Sequence, residues 1–181
     1  MSKKYGPWTI KKSIEKYKNH WIEVIEDKVI RPDGAAGIFG VVKMKAGVSV
    51  LPVDDKGFVY LTQEFHYALG KNSLEVVSGA IDSRESPLIA AKRELKEELG
   101  IVAKRWTNLG KVDPFTTVIK SPAYLFLARG LKFQQVKLES TEVIKLIKVK
   151  LVDAVKMVMN SKITHGPSCV LILKAREYIK N

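Results

Sequence analysis

The stretch SPLIAAKRELKEELG, residues 86–100, fixes its own conformation at both ends. Ser86 is a good N-cap, Pro87 stands at the first helical position where its missing N–H costs nothing, and Gly100 supplies the stop. A helix over 86–99 follows. With about 100° between successive residues, Leu88, Ala91, Leu95 and Leu99 form one apolar stripe, and Lys92, Arg93 and Lys96 point largely away from it. Glu94, Glu97 and Glu98 share the flank beside the stripe, at the edge of the face to be buried, where a cleft can form. Like charges at those spacings repel by about 0.2–0.5 kcal/mol per pair. A divalent cation would convert that repulsion into ligation. Clustered carboxylates are hard oxygen ligands suited to Mg²⁺ or Mn²⁺, and Mg²⁺ commonly adds substrate phosphates to a few carboxylates. On helix composition alone, an ordinary charged face explains the same three acids.

Ahead of this helix, residues from about 8 to 66 read mostly as strands: WIEVIEDKVI, GIFGVVKMK, VSVLPV and GFVYLTQEF are rich in β-branched and aromatic residues. RPDG and DDKG between them are hairpin-turn sequences, since Asp tolerates and Gly readily adopts the backbone angles required. After the helix come strands in AYLFLA and VIKLIKV, then two closing helices, LVDAVKMVMN and SCVLILKAREYI. The order is that of an α+β chain, with a soft boundary near Ala46 and Gly47 that separates an N-terminal strand module, 1–46, from the remainder, 47–181.

Composition narrows the classes. The 181 residues, 46% of them hydrophobic, suffice for a buried core. No segment approaches the roughly 20 apolar residues of a membrane span, and MSKKYGPWTI lacks the apolar centre of a signal peptide, so a cytoplasmic location is expected. Cys169 is the single cysteine, which excludes an internal disulfide framework and a zinc site on paired cysteines. The formal net charge of +12 comes from lysines scattered from Lys3 to Lys180: KKSIEKYK is interrupted by acid, and KLIKVK is a strand with exposed lysines. That distribution describes a solvated basic surface better than a nucleic-acid face. There is no Gly-x-Ser-x-Gly elbow and no Gly-Lys-Ser/Thr phosphate loop, and GAAGIFG has the wrong spacing for a dinucleotide fingerprint.

Spacing over a longer window overturns the ordinary-helix reading of the three acids. Gly79, five residues, Glu85, seven residues, then Arg93, Glu94, Leu95, Glu97, Glu98, Gly100 and Ile101 meet every position of the Nudix hydrolase signature, which this chain therefore resembles. At residue frequencies near 7%, seven fixed letters match by chance about once in 10⁸ starting positions. The resemblance implies an α/β/α sandwich with a mixed sheet. It makes Glu94 and Glu98 the principal metal ligands, with Glu97 ligating directly or through water and Ser78 offering its backbone carbonyl. Glu85 and Arg93 become an ion pair that braces loop against helix, with Gly79 and Gly100 structural.

The likeness extends beyond the signature. YKNHWIEVIEDKVIRPDG, LTQEFHYALGKNSLEVVSGAID, AYLFLARGL and ESTEVIKLIKV look like the ADP-ribose and nucleoside-diphosphate-sugar hydrolase branch. In that branch an N-terminal strand module helps to build a homodimer whose sites draw on both subunits. Carried over by position, Trp21 stacks on the base, Arg31 and His66 contact substrate, and the general base is Glu142 or Glu139. His66 stands where relatives often carry arginine. The implied reaction is metal-dependent hydrolysis of the pyrophosphate bond of a nucleoside diphosphate sugar, giving a nucleoside monophosphate and a sugar phosphate. Dinucleoside polyphosphates or other nucleoside diphosphate derivatives are the alternative substrates, and a non-catalytic nucleotide sensor or a nucleic-acid-binding protein is the alternative from another class.

Overall fold

The computed structural model describes residues 2–134 and 144–180. In chain order the strands β1 (Lys3–Tyr5), β2 (Trp8–Lys18), β3 (Ile22–Ile30), β4 (Ala36–Met44), β5 (Gly47–Val53), β6 (Phe58–His66), β7 (Lys71–Glu75) and β8 (Val77–Ala80) precede the helix α1 (Pro87–Leu99). After it come β9 (Ile101–Val112), β10 (Ile119–Lys120), β11 (Ala123–Phe133), β12 (Lys145–Lys150), α2 (Leu151–Met159) and α3 (Gly166–Lys180). Two compact units form: Met1–Lys45 with Asp113–Ser121, and Ala46–Val112 with Pro122–Asn181.

The first unit is a sheet in the order β1-β2-β3-β4-β10, antiparallel except for the short parallel pair of β10 with β4. The RPDG sequence makes the β3–β4 turn, where Gly34 takes a φ of +84° that a side chain would resist. One face of this sheet, with Trp8, Val29, Phe39 and Val41, lines a cavity of about 470 Å³ together with Val118 and Ile119.

The second unit is a three-layer sandwich, and the alternation of its strands produces the layers. Its sheet runs β12-β6-β5-β11-β9, with β7 added to β6 and β8 to β5. Strands β5 and β11 are parallel, and parallel strands are stable when both faces are covered. Leu51, Val53, Leu125 and Leu127 meet Leu151, Ala154, Leu171, Ile172 and Ala175 of α2 and α3 on one side. Val48, Val50, Phe126 and Ala128 meet Ala90, Ala91, Leu95 and Leu99 of α1 on the other. The near-continuous apolar run VSVLPV is thus the sequence of a strand buried on both faces. Pro52 falls between the pairing of β5 with β8, over Gly47–Val50, and its pairing with β6 at Val53, a gap in which a missing N–H is tolerated. At DDKG, Asp54 Oδ1 accepts the N–H groups of Lys56 and Phe58, each at 2.9 Å, and Gly57 takes a φ of +75°.

The expected strands, turns and closing helices form, and the fold is α+β with a mixed sheet. Three differences are physical. Leu88 lies 36% exposed, and Ala90 takes its place on the buried face, because the helix turns its small residues toward the close-packed strands. Strands β7 and β8 are too short to announce themselves. The twelve-residue strand β9 alternates irregularly, with six partly buried and five exposed positions after Ile101, so its sequence carries no clean period. Among the described residues no helix is long and apolar enough to cross a membrane.

Leu95 is fully buried and Leu88 is not, so the two truncations separate. Leu95→Ala is expected to lower unfolding free energy by about 2–5 kcal/mol in urea titrations, and Leu88→Ala by well under half of that.

Candidate active site

Helix α1 is fixed at both ends as its sequence prescribes. Ser86 Oγ accepts the N–H of Ile89 at 3.4 Å, and Gly100, at φ +61°, donates its N–H to the carbonyl of Lys96 at 2.9 Å. Between these caps the helix presents Arg93 to the loop that precedes it.

Arg93 organises the whole region. Its Nε donates to Glu85 Oε1 at 3.1 Å and its Nη2 to Glu85 Oε2 at 3.0 Å, the two-pronged geometry in which guanidinium and carboxylate match best. Nη2 also donates to the carbonyl of Ala80 at 2.9 Å. Nη1 donates to Glu94 Oε1 at 2.7 Å and to Glu97 Oε2 at 3.1 Å. All five N–H groups of the side chain are engaged. Glu85 Oε2 further accepts the N–H of Asp82 at 3.1 Å, which closes the loop on itself. The hydrogen bonds from Arg93 hold the Glu85 carboxyl below the usual carboxylate range against the opposing effect of burial, and the bond to Glu85 raises the guanidinium further above its ordinary value.

Gly79 is required by contact. A Cβ built there would sit on the carboxylate of Glu94, so backbone and carboxylate approach as closely as they do only because the side chain is missing. The Glu94 side chain is 14% exposed and that of Glu97 57% exposed, which grades the acids from the loop outward. Glu98 is half-buried on the same helix. Ser78 lies in β8, where its Oγ donates to the carbonyl of Val76 and is 3.1 Å from Ser49 Oγ.

The model of the NUDIX domain matches residues 43–162, and that of the nucleoside diphosphate sugar hydrolase N-terminal domain matches residues 8–42. The chain belongs to the Nudix family. Among its relatives, the ADP-ribose pyrophosphatase of Bacillus subtilis (strain 168) is 29% identical over 144 residues, 78% of each chain. The ADP compounds hydrolase NudE of Escherichia coli (strain K12) is 25% identical over 138 residues, 75% of this chain and 73% of that one. A crystal structure of an ADP compounds hydrolase superposes with a TM-score of 0.85 at 20% identity, covering 99% of this chain and 97% of that one, and shares the fold.

Nudix hydrolases generally need a divalent metal, and the donor set here can be tested against that need. Among the described residues no three His, Cys, Asp or Glu side chains form a ready-made cage. Mg²⁺ rarely uses one: it keeps several waters and takes one or two carboxylates plus substrate phosphates. A helix flank with Glu94 pressed against the Gly79 backbone and Glu97 and Glu98 one turn on fits that open mode, and Arg93 pairs with Glu94 Oε1 and Glu97 Oε2. His66, at the end of β6, has its Nε2 3.1 Å from Glu75 Oε1. In the first unit, Trp21 is 70% exposed just ahead of β3, edge-on to His20. Arg31, also in that unit, pairs with Asp33 at 3.3 Å. Glu139 and Glu142 lie outside the described residues. The Ala80 carbonyl and the Asp82 N–H, both bound into the Arg93–Glu85 lattice, were not marked by the sequence, because a backbone group carries no letter.

The lowered Glu85 carboxyl sets a pH dependence. Its contribution to stability is present above the ordinary carboxylate value and is lost as pH falls through the lowered one. Thermal melts from about pH 6 to about pH 3 are expected to show a steeper fall of Tm for the native protein than for Glu85→Gln, which has no proton to take up there.

Proposed function

We propose that this Nudix protein hydrolyses the pyrophosphate bond of nucleoside diphosphate sugars, with ADP-ribose the first substrate to test. Water adds across the P–O–P bridge, one phosphate leaving on the nucleoside and the other on the sugar. The observation that carries the reading is Glu94 pressed against the Gly79 backbone and joined to Glu97 by Arg93. Support for the substrate comes from relatives named ADP-ribose pyrophosphatase and ADP compounds hydrolase, and from the N-terminal domain match over residues 8–42.

In this reading Glu94 and Glu98 hold Mg²⁺ or Mn²⁺, assisted by Glu97 and the Ser78 carbonyl. A divalent cation held there would supply polarisation of the phosphoryl oxygens and activation of a water. Arg93 aims Glu94, and Glu142 or Glu139 accepts the proton of the attacking water. Trp21 stacks on the base, Arg31 contacts the charged part of the substrate, and His66 reaches it through Nδ1, its Nε2 being held by Glu75. The active unit is a homodimer in the cytoplasm. Its motivation is the strand-rich N-terminal segment, which carries an exposed Trp21.

Incubation with ADP-ribose, ADP-, UDP- and GDP-sugars and diadenosine polyphosphates, with Mg²⁺ or Mn²⁺ and products separated by chromatography, tests the reading. A nucleoside monophosphate and a sugar phosphate are expected; no cleavage of any nucleotide sugar overturns it. Glu98→Gln is expected to lower turnover by at least about 100-fold without unfolding, since it weakens charge stabilisation in the transition state. Stacking on an aromatic contributes about 1–3 kcal/mol per base, so Trp21→Ala is expected to raise KM about five- to a hundredfold by that arithmetic while kcat changes much less. Light scattering that shows an active monomer contradicts the dimer.

A further inference from the structure

A buried carboxylate lies between two imidazoles on the far side of β8 from the loop of Arg93 in sequence, and the reaction above draws on it only to hold His66. Glu75, the last residue of β7, is 8% exposed. Its Oε1 is 3.1 Å from His66 Nε2 and its Oε2 is 3.0 Å from His165 Nδ1. His165 ends the connection between α2 and α3, and its Nδ1 is also 2.8 Å from Ser168 Oγ in the first turn of α3. Ser168, fully buried, accepts the N–H of Val76 at 3.0 Å.

Val76 is where this matters. The chain changes partner strand there: Glu75 pairs with Thr62 of β6, and Val77 pairs with Val50 of β5. Val76 belongs to neither ladder, it is completely buried, and its N–H would have no partner without Ser168. A buried backbone donor must be satisfied, so α3 supplies through Ser168 what the sheet cannot. The next contacts lead to the site. The carbonyl of Val76 accepts from Ser78 Oγ at 3.1 Å, and the backbone of Gly79 lies against the Glu94 carboxylate.

We propose that Glu75, held between His66 and His165, is a positioning residue for the hydrolytic site, and that the chain His165–Ser168–Val76 makes the placement of the Val76–Gly79 backbone depend on the charge of the two imidazoles. Each ring sets one nitrogen beside one oxygen of the Glu75 carboxylate. One proton added to the cluster neutralises a buried charge; a second leaves two imidazoliums facing each other across one carboxylate. The strain is relieved by moving the His165 connection, and Ser168 with it, away from Val76. Burial lowers the affinity of His165 for its proton, opposed by Glu75 from β7 and reinforced by His66 from the end of β6. The sign follows: the arrangement with His165 neutral is complete above the ordinary imidazole range and is lost as pH falls through the lowered value.

The proposal rests on the Nudix activity for its kinetic consequence but not for its structural one, and two measurements keep these apart. The first is NMR on the full chain without substrate. The Gly79 amide shift is expected to follow the ring titration of His165 with the same midpoint, and to become flat over that range in His165→Asn, which can donate to Glu75 and cannot be protonated. A Gly79 amide indifferent to His165, or one that still titrates in His165→Asn, overturns the proposal whatever the substrate proves to be. The second is the pH–rate profile on the substrate found active. His165→Asn is expected to keep kcat at about pH 8 within threefold and to shift the acid limb downward by at least about half a unit. His165→Ala is expected to lose at least tenfold in kcat with KM within threefold, the split of an interaction that matters in the transition state. An unmoved acid limb in His165→Asn, or equal kcat for the Ala and Asn variants, overturns it. If no substrate is cleaved while Gly79 follows His165, the assigned reaction fails and the relay stands.

Discussion

Arg93 joins three separate pieces of backbone through one planar group. Its fork takes Glu85 from the loop, its Nη2 takes the Ala80 carbonyl at the end of β8, and its Nη1 spans Glu94 and Glu97 on its own helix. No lysine could do this, since a single ammonium has three donors and no fixed plane. The guanidinium also resolves an electrostatic conflict. Three glutamates within five positions of one helix repel one another, and the Arg93 guanidinium between Glu94 and Glu97 offsets that repulsion. The loop, the helix and the acids therefore stand or fall together.

That lattice is useful only because the sandwich holds α1 against β8 and β5. Val48, Val50 and Val77 bury one side of the sheet under Ala90, Ala91, Leu95 and Leu99. Small alanines at the contact let the helix approach the strands, which brings Glu94 onto Gly79. On the opposite side α3 packs Leu171, Ile172 and Ala175 over Leu51, Leu125 and Leu127. The same helix places Ser168 under Val76, so the two faces of the sheet meet at the one residue where the strand leaves β6 for β5. A sheet with an internal change of partner has an unpaired donor at that point, and a helix on the far face is the available remedy.

The basic surface has a plain mechanical use at one sheet edge. Strand β12 is an edge strand, and Lys145, Lys148 and Lys150 are exposed along it. Charged residues on an edge discourage pairing with another chain. Lys148 and Lys150 also lie over the ring of Phe58, at 4.6 and 3.9 Å, so the charges cover an aromatic as well. Three of the lysines thus protect a sheet edge.

The sequence by itself determined the helix of residues 86–99, its caps and the spacing of Gly79, Glu85, Arg93, Glu94, Glu97 and Glu98, because caps and ligand sets are local and written in consecutive letters. Strand identity over residues 22–66 was legible for the same reason, through β-branched content and turn residues. Only the tertiary structure decided that Ala90 rather than Leu88 is buried, since that choice depends on how closely a helix approaches a sheet. It also decided that Asp113–Ser121 joins the N-terminal strands, and that Glu75, His66, His165 and Ser168 converge. Those four come from β6, β7, the α2–α3 connection and α3, up to 102 positions apart, from His66 to Ser168 (168 − 66). No period or motif links residues at such separations; the sheet order brings β6 and β7 together, and the helix crossing behind them supplies the rest.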